Sequence, residues 1–182
     1  MKIVLLNAAT LPVYCEELAD LLLDVVQDGA AVGHPRSITH QQAESSFHRL
    51  RGELEQGERL FWIARDEQGI AGCVNLLLSK EADALNRATI KMHMVHRRAR
   101  RSGVGKSLIN ELEKGAHLRQ RGLLHLEAQA GSRAEGFYRA QGYRCLGEIP
   151  DYLNSADGSS HSAVIYYKRL FAVNQLTRSI AC

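Results

Sequence analysis

The feature that most constrains this chain is a turn rich in glycine and arginine that joins an apolar strand pattern to a helical one. It reads Arg100-Arg101-Ser102-Gly103-Val104-Gly105, with Lys106 directly after it. Glycines at such a turn let the main chain approach a bulky anion, and the N–H groups at a helix start favour phosphate. The spacing therefore predicts a pyrophosphate site, with Arg97 and Arg98 adding positive charge.

Three other interpretations of this turn stay open on the residues alone. Gly105-Lys106-Ser107 ends like a nucleotide P-loop, but that motif needs glycine where Arg100 stands. The arginine run is compatible with nucleic-acid binding, although no aromatic residue is interleaved with it. The simplest alternative is a solvated basic loop whose glycines serve a tight turn.

Composition is typical of one soluble globular domain, with 45% hydrophobic and 24% charged residues in 182 and a formal net charge of +3. Four widely spaced cysteines without a C-x-x-C pair predict reduced thiols. The first residues are too short an apolar run for a signal peptide, and no stretch reaches membrane-span length, so we expect a cytoplasmic protein. The eight histidines are scattered, which predicts no metal site.

Periodicity predicts a mixture of strands and helices without strict alternation, which favours a mixed sheet over an all-parallel one. A loop is expected over residues 150–162. Helices are expected at 12–28, 39–56, 103–119 and 133–141, and strands at 2–9, 60–65, 70–79, 88–95, 123–129, 143–149 and 163–169.

Two motifs in this order resemble the GNAT acyltransferase superfamily. Arg100, Gly103 and Gly105 match its pyrophosphate motif, Gln/Arg-x-x-Gly-x-Gly/Ala, and Ala134, Tyr138 and Gly142-Tyr143 match a second motif downstream. The resemblance implies an α/β GNAT fold: a mixed, mostly antiparallel sheet of about seven strands, splayed between the central parallel strands and flanked by about four helices. It also implies acetyl-CoA as cosubstrate, without a metal.

The same resemblance implies roles for individual residues. Tyr138 would protonate the leaving thiolate, and the strand before the turn would offer its backbone to the pantetheine arm. The residues expected to bind the cofactor are His93, Met94, Val95, Arg100, Arg101, Ser102, Gly103, Val104, Gly105, Lys106, Ser132, Ala134 and Tyr138.

Most of the chain is also similar to the tabtoxin resistance acetyltransferases, which acetylate the amine of a β-lactam amino acid. That likeness includes Leu-Asn-Arg-Ala (85–88), Arg-Gly-Leu-Leu-His-Leu-Glu (121–127), Ala-Gly-Ser-x-Ala-Glu-x-Phe-Tyr (130–138) and Asp-Gly (157–158). Thr89 departs from the pattern, because those enzymes carry a carboxylate there and threonine cannot take a proton at neutral pH. Glu127 is therefore the first candidate for the base, and His93, which shares strand parity with Thr89, is the second.

The sequence thus predicts an N-acetyltransferase domain over residues 1–170 and a loose tail over 171–182. Its expected partner is a small-molecule amine, such as tabtoxinine-β-lactam or a related amino acid or antibiotic, rather than nucleic acid or membrane. The sequence leaves open whether the protein forms a homodimer. The alternatives are a protein or peptide N-acetyltransferase and a non-catalytic acyl-CoA-binding module, to which Thr89 gives weight.

Overall fold

The computed structural model describes residues 1–154 and 159–172 as a single sheet with helices on both faces. Four α-helices of eight residues or more and one helix of five residues accompany seven strands. The strands are Lys2–Leu6 (β1), Arg59–Asp66 (β2), Gly69–Leu78 (β3), Arg87–Val95 (β4), Leu123–Gln129 (β5), Arg144–Asn154 (β6) and Ser160–Arg169 (β7). The helices are Leu11–Gln27 (α1), His40–His48 (α2), Arg51–Glu55 (α3), Val104–Leu118 (α4) and Arg133–Ala140 (α5).

The sheet has the strand order β1-β2-β3-β4-β5-β7-β6, and every neighbouring pair is antiparallel except β4 and β5. Those two central strands pair over only three residues each, Arg87–Thr89 with Leu123–His125. Beyond Thr89 the strands diverge and leave a slot in the middle of the sheet. The predicted mixed sheet with a splayed parallel pair is therefore confirmed.

Two apolar clusters hold the layers together. Helix α1 packs on β3 and β4, and its stripe of leucines and valines shares one cluster with Phe47 of α2 and Phe61 of β2. Helix α4 covers β1 to β4 on the other face, and α5 continues this layer over β5 and β6. Trp62 is buried in this second cluster beside Gly115. In the described part of the chain, neither helix of the first layer packs broadly on β5, β7 or β6 on the α1 side of the sheet.

Strand β4 carries a β-bulge at the level of the slot. Cys73 of β3 pairs with Met94, and Asn75 pairs with Lys91, so β4 has one residue more than β3 between these pairs. Met92 absorbs the extra residue with a φ of 50°. A bulge interrupts the alternation of side chains along a strand, so residues before and after it change faces relative to simple parity.

Two boundary predictions were wrong. The helix expected over 39–56 is divided, because the N–H of Leu50 donates to Phe47 three residues back and tightens the chain between α2 and α3. The loop expected over 150–162 is largely a β-hairpin, in which Leu153 pairs with His161 after an irregularity that includes Asp151 at a φ of 54°. Asp157 and Gly158 lie outside the described residues, as do residues 173–182 of the expected tail.

Candidate functional site

The predicted pyrophosphate turn lies at the N-terminus of α4, beside the open end of the slot. Gly103 is the N-cap residue with a φ of 87°, and no side chain caps the helix. A Cβ built on Gly103 would meet no atom within 4 Å, so free space lies in front of the helix start. The first N–H groups of a helix have no partners within it. The turn is therefore open and presents unpaired donors to an anion.

Most arginines of the run point away from this space and pair with acids. The Nε atom of Arg97 lies 2.5 Å from Asp24 Oδ1, and its main-chain N–H donates to Asp24 Oδ2 at 2.9 Å. Arg98 forms a forked pair with Asp66 at 2.8 and 3.0 Å. The prediction that these two arginines add charge at the phosphate site is wrong, because buried and half-buried carboxylates already hold them.

Arg100 also has partners within the protein. Its Nη1 atom donates to Asp28 Oδ2 at 2.6 Å, and its Nε atom donates to the carbonyl of Val95 at 3.3 Å. The hydrogen bond from Arg100 lowers the pKa of Asp28. Within the described part of the chain, Arg101 and Lys106 form no ion pair, and both are exposed beside the helix start. They are the cations of the turn that are available to a phosphate.

A histidine and a phenol meet on the α4 side of the slot. His93 Nδ1 lies 3.0 Å from the hydroxyl oxygen of Tyr138, which comes from α5. Phe137, Tyr143 and Tyr166 surround the Tyr138 ring, and 5% of Tyr138 is exposed. Burial raises the pKa of Tyr138 and lowers the pKa of His93 to about 4. Both side chains are therefore neutral near pH 7.

The opposite side of the sheet holds a second polar group. Thr89 Oγ1 lies 3.2 Å from His125 Nε2 on the last paired level of β4 and β5. One step further, Lys91 Nζ lies 3.4 Å from Glu127 Oε2, and the hydroxyl of Tyr152 donates to Glu127 Oε1 at 3.3 Å. A carboxylate, an ammonium group and a phenol thus meet at the mouth of the slot.

The bulge in β4 places the two candidate bases, Glu127 and His93, on opposite faces of the sheet. His93 was expected to share a face with Thr89, but that prediction is wrong: His93 contacts Phe137 and Tyr138 of α5, whereas Thr89 contacts His125 on the other face. The cause is the extra residue at Met92, which shifts the alternation by one. Glu127 and Tyr138 therefore approach the slot from opposite faces of the sheet.

Among the residues that the structure describes, two buried polar atoms near the slot have no hydrogen-bond partner. They are His93 Nε2, next to Gly105, and the hydroxyl of Ser132 at the N-terminus of α5. Buried polar atoms without partners are uncommon in native proteins and are often satisfied by a ligand or water. Together with the open helix start and the unpaired edge of β4, they fit an elongated polar ligand that carries a diphosphate, as acetyl-CoA does.

Sequence reasoning missed Lys91, Asp24 and Asp28. Lys91 follows Thr89 by two residues and therefore shares its face before the bulge, a signal that strand parity contained. Asp24 and Asp28 are spaced by one helical turn near the end of α1, opposite the arginine run.

Across residues 1–154 and 159–172, no group of three or more metal-ligating side chains is present. None of the helices in these ranges is both long enough and apolar enough to span a membrane.

The seven-stranded sheet has one short, diverging parallel pair and a glycine turn at the start of the adjoining helix, which is the α/β arrangement expected of the GNAT fold. The model of the acetyltransferase (GNAT) domain family matches residues 18–151. The chain therefore belongs to the GNAT acetyltransferase family, whose reaction is acyl transfer from acetyl-CoA.

Solved structures share the fold at low sequence identity. A ribosomal-protein-alanine N-acetyltransferase from Brucella melitensis superposes with a TM-score of 0.74 at 19% identity, over 93% of this chain and all of the other. A Salmonella typhimurium structure that contains acetyl-CoA as its cofactor gives 0.75 at 12% identity, over 96% of both chains. An aminoglycoside 6'-acetyltransferase type Ii gives 0.69 at 20% identity, over 96% of this chain and all of the other. At these identities the likeness establishes the fold.

Proposed function

We propose that this protein transfers the acetyl group of acetyl-CoA to the amine of a small molecule. The observation that carries the proposal is the placement of Glu127 and Tyr138 on opposite faces of one slot, each next to the gap between β4 and β5. A base on one side and a proton donor on the other are what an acyl transfer between two molecules requires.

The residues divide the reaction between them. Glu127 accepts one proton from the ammonium form of the acceptor, which frees the amine to form a bond to the carbonyl carbon. The second proton that the nitrogen loses as the amide forms returns to the Tyr138 oxygen after that oxygen has protonated the sulfur. The main chain of His93–Val95, which lies beyond the paired residues of β4 and β5, offers N–H donors to the carbonyl oxygen. Tyr138 donates its proton to the sulfur as the carbon–sulfur bond breaks, so that the products are an amide and a free thiol.

His93 assists Tyr138 in this scheme. Neutral histidine carries one N–H, and the tautomer with the proton on Nδ1 donates to the Tyr138 oxygen. This arrangement leaves the phenolic proton free to point into the slot. We therefore assign His93 to orienting the acid, and Glu127 to the role of base.

The cofactor residues predicted from the sequence divide in the same way. Gly103, Val104 and Gly105 supply main-chain donors to the diphosphate, and Arg101 and Lys106 supply charge. Arg100 and Ser102 hold the turn in shape, since Arg100 pairs with Asp28 and the Ser102 hydroxyl donates to the carbonyl of Ala99. Ser132 and Ala134, at the start of α5, border the same ligand, while Met94 turns into the α1 core.

The hairpin of β6 and β7 lies next to Glu127, and this favours a small acceptor over a peptide. The hydroxyl of Tyr152, on the β6–β7 hairpin, already contacts this carboxylate. The hairpin therefore limits the approach to Glu127 from the β6 side, where an extended peptide would have to lie across the sheet.

The test is acetyl transfer to a panel of amines with matched binding measurements. The panel contains free amino acids, a tabtoxin-type β-lactam amino acid, an aminoglycoside and short peptides, and calorimetry follows acetyl-CoA binding in parallel. We expect saturable acetyl-CoA binding and turnover of a small amine. Binding without turnover of any amine would indicate an acyl-CoA-binding module, turnover of peptides alone would indicate a protein acetyltransferase, and no binding would refute the proposed function.

A further inference from the structure

Lys91 and Glu127 form an ion pair across the slot, two residues beyond the last paired level of β4 and β5. Their charged atoms lie 3.4 Å apart, and the two side chains are 40% and 32% exposed. Both groups therefore lie at the entrance rather than in the core. A partly exposed pair of this kind contributes little to stability, so its position calls for another explanation.

The sheet face around this pair, over which no described helix packs broadly, is strongly basic. Residues paired across neighbouring strands point to the same face, and the register places Arg87, Leu123 and Arg169 on one level and Thr89, His125, Tyr167 and Arg144 on the next. We call this the open face, and Lys91 and Glu127 complete it at the slot. Among the residues of β4, β5, β7 and β6 that we assign to the open face, Glu127 is the one with a carboxylate. Burial lowers the pKa of His125, and Lys91 and Arg87 also lower it while Glu127 opposes them, so these charges act on one another.

An acceptor amine changes this balance when it arrives as an ammonium ion. To reach Glu127 it must replace the Lys91 ammonium group, which now occupies the same carboxylate. Lys91 is then left without its partner, in a neighbourhood that already contains Arg87. An acceptor that carries only positive charge raises the local repulsion, whereas an acceptor that also carries an anionic group restores a partner to Lys91.

We infer that Lys91 is a specificity residue, which selects acceptors with a carboxylate or similar anionic group beside the reacting amine and disfavours polycations. This inference rests on the proposed function and deepens it. In the bound state, the ammonium group of the acceptor takes the place of Lys91 at Glu127, and its anionic group takes the place of Glu127 at Lys91. The slot entrance thus exchanges one internal ion pair for two intermolecular ones.

The experiment compares each amino acid with its own α-carboxamide, which keeps the carbon skeleton but lacks the negative charge, together with an aminoglycoside as a polycation. Because the carboxamide also has a more acidic ammonium group, rates are expressed per concentration of free amine. For the wild-type protein we expect kcat/KM to be about tenfold or more higher for the carboxylate member of a pair, as for a charge-assisted hydrogen bond. Lys91→Met should raise KM for the carboxylate about tenfold and leave the carboxamide nearly unchanged. Lys91→Arg keeps the charge and should retain most of the preference.

Lys114→Met is the matched control, because Lys114 is an exposed lysine on α4 that pairs with Glu111 on the other side of the sheet. It should leave both kinetic constants unchanged. Equal turnover of carboxylates and carboxamides, or an equal loss for both in Lys91→Met, would overturn the inference while the acetyltransferase assignment stands. Absence of turnover with every amine would refute the proposed function first, and Lys91 selectivity with it.

Discussion

The Nδ1 atom of His93 lies 3.0 Å from the hydroxyl oxygen of Tyr138, although the two residues are 45 positions apart in the chain. His93 follows the bulge of β4, and Tyr138 belongs to α5, so this contact joins the two walls of the slot on the α4 side. Without the bulge, His93 would face α1 and the phenol would have no polar partner there. One extra residue in β4 therefore determines the surroundings of the proposed acid.

Tyr138→Phe tests the acid directly. Removing the hydroxyl should lower kcat about 100-fold with little change in KM for either substrate, because the proton donor to the thiolate is lost and the ring is kept. Tyr143→Phe is the matched control, since the Tyr143 hydroxyl donates to Glu113 at 3.0 Å, away from the slot. Steady-state kinetics of both variants give the comparison, and equal effects would remove the special role of Tyr138.

Glu127→Gln tests the base. The amide keeps the size of the side chain but cannot accept a proton, so we expect kcat to fall about 10- to 100-fold, most strongly on the acidic side of the pH profile. Glu111→Gln, on the exposed face of α4, should leave the profile unchanged. If the pH profile of Glu127→Gln matched that of the wild type, Glu127 would not be the base, and water or another group would have to accept the proton.

Gly103→Val tests the diphosphate turn. A β-branched side chain at a φ of 87° is strained, and its methyl groups would enter the space in front of α4. We expect KM and Kd for acetyl-CoA to rise at least about tenfold, whereas Gly57→Val, which has a φ of 69° at a distant turn, should affect stability alone. Calorimetry with CoA distinguishes the two variants. Unchanged CoA affinity in Gly103→Val would show that the diphosphate does not bind at this turn.

Asp24→Asn tests the anchor between α1 and the arginine turn. Asp24 is 9% exposed and accepts two hydrogen bonds from Arg97, so the substitution leaves that guanidinium without its counterion. We expect a loss of about 2 kcal/mol in the free energy of unfolding, measured by urea denaturation, together with weaker CoA binding. Asp20→Asn, one turn earlier on the exposed side of α1, is the control and should cost less than about 0.5 kcal/mol.

The buried imidazole of His93 predicts an acid dependence of stability. Burial lowers its pKa from 6.5 to about 4, so between these pH values the unfolded chain binds a proton that the native chain does not. The free energy of unfolding should therefore fall as the pH decreases from 6.5 to 4, by about 2 to 3 kcal/mol from this residue. His93→Phe should remove that part of the slope, and His48→Gln, at an exposed position of α2, should retain it. Identical slopes in all three proteins would contradict a buried neutral His93.

The local pattern of the sequence determined the strands, most helices and the glycine turn before α4. Residues 123–129 and 133–141 were assigned almost to the residue, because strand alternation and helix periodicity are short-range properties of the chain. The Gly103 turn was recognisable for the same reason, since a left-handed N-cap and an apolar helix start are encoded in neighbouring residues.

Tertiary structure decided which side chains meet. Whether Arg97, Arg98 and Arg100 face a ligand or an acid depended on Asp24, Asp66 and Asp28, which lie far away in sequence. The bulge at Met92 moved His93 away from the face of Thr89, and the splay of β4 from β5 brought Lys91 to Glu127. Strand register, bulges and ion pairs arise from contacts across the whole sheet, so a linear pattern specifies the elements but not the pairing of their charges.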